Sequence, residues 1–157
     1  MITTKIQIKE HLCEYIYGKF CSCEKKPVQF PSTDDIYHSI QCVTNKRPDG
    51  VIDSGNLELC IPDQRIGKRP EVYNWISEKG MKILEKKIET RMWSELHDAI
   101  DTNKHRYGIP YITTVYEFMC RYGITSISED ALLKNYYRWR DRVRKKEKRN
   151  YTKAKRC

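Results

Sequence analysis

Residues 77–103 read SEKGMKILEKKIETRMWSELHDAIDTN. Met81, Leu84, Ile88, Met92, Leu96 and Ala99 recur every three or four positions, which places them on one face of a helix. Ile83, Trp93 and Ile100 widen that face. Ser77 is a cap residue ahead of the acid Glu78, so the spacing predicts a helix over 78–103. Gly80 weakens its first turn. At ~1.5 Å per residue such a helix is roughly 39 Å long, and the shorter elements are expected to pack against it as a scaffold.

Downstream, Lys104 to Pro110 breaks the pattern. A second helix is expected from Tyr111 or Thr113, with Val115, Phe118, Met119 and Tyr122 on its apolar side. Arg121 and Gly123 form a stop, a cation in the last turn followed by a C-terminal glycine. Ser128 then caps a third helix with Glu129 and Asp130 in its first turn; Ser126 with Glu129 is an alternative capping box. Leu132, Tyr136, Trp139 and Val143 make its apolar stripe, widened by Leu133 and Tyr137. Lys134, Arg138, Arg142, Lys145 and Arg149 fall on another face. The stripe ends at Arg144, so residues 145–157 are expected to form a flexible basic tail with nothing to bury.

The order of residues 111–144, apolar helix, Gly123-Ile124, polar turn, capped helix, is that of a helix-turn-helix. Ile124 and Ile127 would plug the angle between the helices, and Phe118 and Leu132 would pack their crossing. Two features depart from that motif. Met119 stands where a small residue is usual, and the turn is about two residues long for it. A generic helical hairpin fits the same signals.

Upstream, residues 1–5 are expected to be loose or strand-like, and Ile8, Leu12, Ile16 and Phe20 repeat every four residues, predicting a helix over 6–20 whose end Gly18 weakens. Val28 to Phe30 is a short strand candidate. Pro31-Ser32-Thr33-Asp34-Asp35 is a helix-start signal, and the helix carries Ile36, Tyr37, Ile40 and Val43 inward to about Asn45. Lys46 to Asn56 is a turn-rich loop. Leu57 to Ile61 alternates as a half-buried strand and is expected to pair with Val28 to Phe30 in a two-stranded ribbon. Pro70 to Ile76 reads as a short helix. The fold class is therefore mostly α (α+β): one helical domain over 1–144 on a long central helix, with a minor ribbon and a C-terminal helix-turn-helix-like hairpin.

Charge is segregated along this chain. Its net formal charge is +9, yet residues 134–157 hold 12 Lys and Arg against Asp141 and Glu147, a local +10. The first 133 residues are close to neutral. Charge so concentrated attracts polyanions and releases their counterions on binding. If the third helix is a reader, Lys134, Asn135, Arg138, Arg142 and Lys145 lie on its outer face. Arg138 suits a guanine edge, Asn135 an adenine edge and Lys134 a phosphate. Lys145, Lys146, Lys148 and Arg149 begin the arm, and Lys153, Lys155 and Arg156 extend it. Tyr137 suits a phosphate or an unpaired base, or equally the core. The bland reading of the same run is a packed helix with a solvated basic face.

Other chemistry is poorly served. Seven cysteines, odd in number and scattered, are expected to be reduced in a chain lacking a secretion signal. Cys21 and Cys23, near Cys13, His11 and His38, form C-x-C without the second pair that structural zinc sites use. No metal or other cofactor is expected. Asp34-Asp35 is explained by the helix start. Glu95-Leu96-His97-Asp98 is not H-E-x-x-H, and nothing completes it. No glycine-rich phosphate loop or nucleophile elbow is present, so the chain does not read as an enzyme. No apolar run approaches the ~18 residues of a spanning helix. No signal peptide is recognisable, so the cytoplasm is the expected location.

Several segments carry a resemblance. Tyr116-Glu117-Phe118-Met119-Cys120-Arg121-Tyr122-Gly123-Ile124, with Ser126 to Arg140, Arg47-Pro48, Gly55-Asn56-Leu57-Glu58 and Pro70 to Ser77, resemble small proteins of Bacteroides-type prophages and integrated mobile elements. The similarity covers most of the chain. It implies a mobile-element context and a bacterial cytoplasm, and it carries over no catalytic or binding residue.

The expectation is a non-enzymatic DNA-binding protein, regulatory or accessory, with duplex DNA as its partner. One alternative is a protein-interaction or assembly protein using the Tyr- and Trp-rich helix, since aromatics and Arg are preferred interface anchors. A third reading is RNA or single-strand binding through aromatic stacking.

Overall fold

The computed structural model describes residues 1–21, 26–63 and 67–154, with side chains placed through residue 146. In chain order the elements are β1 (Thr3–Ile6), α1 (Glu10–Phe20), α2 (Asp35–Val43), β2 (Thr44–Asn45), β3 (Leu57–Cys60), β4 (Trp75–Ile76), α3 (Glu78–Tyr107), α4 (Tyr111–Tyr122) and α5 (Glu129–Ala154). The chain is mostly helical, with two small antiparallel ribbons, β1–β3 and β2–β4.

The scaffold role of α3 follows from its stripe. Leu84, Ile88, Met92, Leu96 and Ile100 are all fully buried, each worth about 1.5–3 kcal/mol relative to exposure. Ser77 caps the helix, its Oγ accepting from Gly80 N at 3.3 Å. The helix continues four residues beyond the predicted end, because Lys104 to Tyr107 can remain helical until Gly108. That glycine takes the left-handed conformation at φ 66°, and the N–H groups of Gly108 and Ile109 donate to the carbonyls of Lys104 and Asn103. Around α3 pack α1, α2 and α4, and α5 packs on α4. One buried cluster runs from Ile6 and Ile8 through these helices to Leu132 and Tyr136.

The first helix starts later than predicted. Residues 3–6 are a strand, Ile6 pairing with Leu57 and Thr3 with Cys60. Ile6 and Ile8 obey a two-residue period and Ile8, Leu12 and Ile16 a four-residue one, so Ile8 belongs to both patterns. The Asn56 side chain completes the strand beyond Ile6. It donates to the Ile8 carbonyl at 2.8 Å and accepts from Ile8 N at 3.1 Å.

The ribbon partner of β3 is therefore β1, not residues 28–30. Val28 makes only a single parallel bridge to Leu59 on the other edge of β3. Pro27 and Pro31 bracket this segment and lack the N–H groups a longer ladder needs. Nor do residues 71–76 form a helix. A turn closed by Tyr73 N on the Arg69 carbonyl leads into β4, which pairs with β2. Valine, tyrosine, tryptophan and isoleucine there favour the extended backbone.

Two glycines permit close approaches that propensity alone does not reveal. A Cβ on Gly18 would lie 2.2 Å from the Tyr122 carbonyl oxygen, so α1 and α4 cross almost backbone to backbone. A Cβ on Gly80 would meet Ile76 at 2.9 Å and Val43 at 3.1 Å, which seats α3 on the second ribbon.

Candidate nucleic-acid interface

The basic helix is placed by its connection to α4. Gly123, at φ 64°, ends α4 in a Schellman motif, with Ile124 N–H donating to the Met119 carbonyl at 2.9 Å. Ile124 turns into the core and Ile127 packs against it. Glu14 of α1 then grips the turn. Its carboxylate accepts from Thr125 N at 2.9 Å, Thr125 Oγ1 at 2.7 Å, Ser126 N at 3.1 Å and Ser126 Oγ at 2.8 Å. Burial pushes the Glu14 carboxyl upward, but these four donors outweigh it and hold the group below its ordinary value. Ser128 caps α5, its Oγ accepting from Ala131 N at 3.2 Å.

The inner face of α5 is locked. Leu132 and Tyr136 are buried, and Leu133 and Trp139 pack against the same core. The Tyr136 hydroxyl donates to Asp101 Oδ1 at 2.5 Å; burial first, and then that carboxylate, push its pKa well up. On one flank the Arg140 guanidinium donates to the Tyr111 hydroxyl at 3.2 Å. It also lies 5.1 Å from the Tyr137 ring centre and 5.8 Å from that of Tyr136. Lys104, from the last turn of α3, sits over Tyr111 at 5.6 Å. Cation–π contacts of this kind join the end of α3, the start of α4 and the middle of α5.

On the other flank α3 and α5 enclose a groove of about 580 Å³. His97, only 6% exposed, stacks on Trp139 at 4.6 Å and on Trp93 at 6.2 Å. Its Nε2 lies 3.0 Å from Asn135 Oδ1, an acceptor, so Nε2 carries the proton. Burial lowers the His97 pKa, the Asn135 hydrogen bond opposing it, and Arg142 adds to the lowering. The ring is neutral at pH 7.

The expected contact residues divide on this framework. Arg138, Arg142, Lys145 and Lys146 are exposed; Arg142, whose Nε reaches the Arg138 carbonyl at 3.4 Å, also borders the groove between α3 and α5. Lys134 is exposed but pairs with Asp130 at 2.7 Å one turn earlier. Asn135 is half-buried and turned to His97 rather than outward. Lys148 and Arg149 lie on helical backbone, with side chains outside the described residues. Where the end of the apolar stripe predicts a flexible tail from Lys145, the backbone instead stays helical to Ala154. Lys, Arg, Glu and Ala there are strong helix formers, and extending a formed helix requires no new nucleus. Residues 155–157, with Lys155 and Arg156, are outside the described residues.

Arg140 and Lys104 were not singled out by sequence, and His97 stands out there only within the Glu95–Asp98 string, which nothing completes. Arg140 and Tyr111 are 29 positions apart, and no local spacing signals their contact. The Glu95-His97-Asp98 string is dispersed. Glu95 turns to the other side of α3, where it accepts from Tyr15, Tyr122 and Lys19, while His97 faces α5. Among the described residues no group of three or more His, Cys, Asp or Glu side chains is placed to hold a metal; Cys23 lies outside them. Among the described residues no helix is long and apolar enough to cross a membrane.

No protein-family model, curated protein or solved structure matches this chain.

Proposed function

We propose that this chain is a non-enzymatic DNA-binding protein that contacts duplex DNA through the outward face of α5 and the basic residues that follow on the same helix. The observation that carries the reading is a helix with a buried inner face, its outward side bearing Arg138, Arg142, Lys145 and Lys146 exposed. A rigid mount fixes where the charges point, and phosphate contacts from such a row set register on a duplex. The helix runs on from Arg144, where the apolar stripe ends, to Ala154. Its backbone therefore extends about 15 Å past Arg144, at ~1.5 Å per residue. In this reading α4, the Glu14-held turn and α5 act as a helix-turn-helix-like hairpin, with Arg138 and Arg142 on phosphates. Asn135, held by His97, supports the helix rather than reading a base. A regulatory or accessory role in the cytoplasm, for a phage or mobile element, rests on the resemblance of residues 116–140 and the segments named with them.

The protein-interaction alternative loses Tyr136, which is 1% exposed, as an anchor, and keeps the exposed Tyr137 and the partly buried Trp139. Fluorescence anisotropy of a labelled duplex at low salt tests the proposal. The wild type is expected to bind, and Arg138→Glu with Arg142→Glu to bind at least about tenfold more weakly, since each replaces a phosphate attraction by a repulsion. Absence of binding by the wild type, or equal binding by the double variant, overturns it.

A further inference from the structure

The groove between α3 and α5 has a composition unlike that of the outward basic face. Its wall is aromatic: Trp93, His97 and Trp139, with interplanar angles to the imidazole of 26° and 24°. Its rim carries Asp98, Asn135 and Arg142. At about 580 Å³ it falls within the ~300–1,000 Å³ of small-molecule sites.

Near-parallel rings select the shape of a ligand. A rounded cation such as a quaternary ammonium is held by rings set at angles around it, in a box. Rings lying nearly parallel instead offer a flat face, on which another planar ring continues the stack. The rim then selects its chemistry. Asn135 Oδ1 is engaged by His97, which leaves its amide N–H groups as donors, and the exposed Asp98 carboxylate is an acceptor. Asp101 is already engaged by Tyr136. One donor and one acceptor match a nucleobase edge on which a ring nitrogen or carbonyl acceptor stands beside an N–H, as every base offers. Arg142 supplies the single cation for an attached phosphate. Asp98 and Asp101 both line the groove and oppose the dense phosphates of a duplex there, so the groove takes one nucleotide while Arg142, at its rim, also borders the duplex-facing side.

We propose that this groove binds one nucleotide unit, its base stacked on the tryptophan wall and its phosphate on Arg142. The inference rests on the nucleic-acid reading only for the source of the ligand. That source is either a free nucleotide or an unpaired base of a strand held on α5. His97, neutral and fastened to Asn135, positions the donor side of the amide and does not itself contact the phosphate.

Tryptophan fluorescence of the full chain, titrated with dCMP, dAMP and dTMP and with oligo(dC) and oligo(dT), tests this. Quenching is expected with dCMP, dAMP and dTMP alike, since each base presents a flat face and an edge with one acceptor and one donor. Trp139→Ala is expected to lower affinity about tenfold, the scale of one missing stack, with circular dichroism confirming that it folds. Arg142→Ala and Asp98→Ala, both at exposed positions, provide the same test if it does not. Arg142→Ala should weaken every nucleotide, and Asp98→Ala should weaken each by about fivefold to tenfold, the scale of one edge contact. Oligo(dC) binding well above dCMP identifies the unpaired base of a strand as the ligand, and equal affinity identifies the free nucleotide; either supports the site. No quenching by any probe, or quenching unchanged in Arg142→Ala and Asp98→Ala, overturns it. Duplex binding measured alongside separates the two readings. Duplex bound without quenching by nucleotides removes the groove alone, and nucleotide quenching without duplex binding removes the duplex reading alone.

Discussion

Replacing Gly18 by alanine opposes two effects of different size. Propensity favours alanine inside a helix by about 1 kcal/mol. Gly18 is exposed in area, so a surface substitution there would ordinarily be neutral or stabilising. The direction its Cβ would take is nevertheless filled by backbone: Tyr122 O at 2.2 Å, Cα at 2.6 Å and C at 2.7 Å. Ordinary contact begins near 3.4 Å, so α1 and α4 must separate by roughly 1 Å, and backbone atoms cannot rotate aside. Overpacking costs about 1–3 kcal/mol or more. Separation also strains the hydrogen bonds that tie the two helices through Glu95, to Tyr15 on α1 and Tyr122 on α4, each worth about 1 kcal/mol. The net expectation is a loss of about 2–4 kcal/mol, or roughly 4–16 °C in Tm for a chain of this length. Thermal and urea unfolding followed by circular dichroism measure it. An unchanged or higher Tm would refute the close crossing, because propensity would then have won.

Two further outcomes follow from named contacts. Glu14→Gln removes one of two carboxylate acceptors from the turn at 125–126 and should cost about 1–2 kcal/mol at pH 7, discounted for partial exposure. Because the folded pKa of Glu14 lies below its ordinary 4.5, its contribution is complete above that pH and lost as pH falls through the depressed folded value. The Tm gap between wild type and Glu14→Gln should accordingly be constant near neutrality and close below pH 4.5; a gap that widens on acidification would contradict it. Asp34→Ala removes both the cap on Ile36 N at 2.8 Å and the two-pronged pair with Arg91 at 2.7 and 2.8 Å. Urea unfolding should show a loss of about 2–3 kcal/mol, more than a cap alone contributes, whereas a loss under ~1 kcal/mol would mean the Arg91 pair adds nothing.

What could be read from sequence was what repeats locally. The α3 stripe, the Gly123 stop and the Ser128 cap each declare themselves within a few positions, and all three stand in the structure. So does the segregation of charge, because counting charges needs no fold. The boundary between the N-terminal strand and the first helix was blurred by Ile8, which serves a two-residue and a four-residue period at once, and the pairing of residues 3–6 with 57–60 had no local signal. The second ribbon was hidden by its brevity, two residues on each side. Gly18 and Gly80 looked like helix weaknesses, because the backbone or side chains each one admits come from elsewhere in the chain. The site divides in the same way. The outward placement of Arg138 and Arg142 follows from helical spacing, while the capture of Asn135 by His97 joins residues 38 positions apart. Asn135 lies at the margin of the basic face, and only the position of α3 decides that it turns inward. The continued helix beyond Arg144 is a different case: an apolar stripe reports packing, and a helix already nucleated can outlast it.

The central claim is that α5 holds a row of cations against a phosphate backbone, and the salt dependence of duplex binding measures that row directly. About six phosphate contacts predict a slope near −5 for log affinity against log salt. Neutralising Arg138, Arg142, Lys145 and Lys146 together should flatten that slope by about 3–4, at roughly 0.9 for each phosphate no longer neutralised. A wild-type slope near zero, or a slope unchanged in the fourfold variant, would contradict the account.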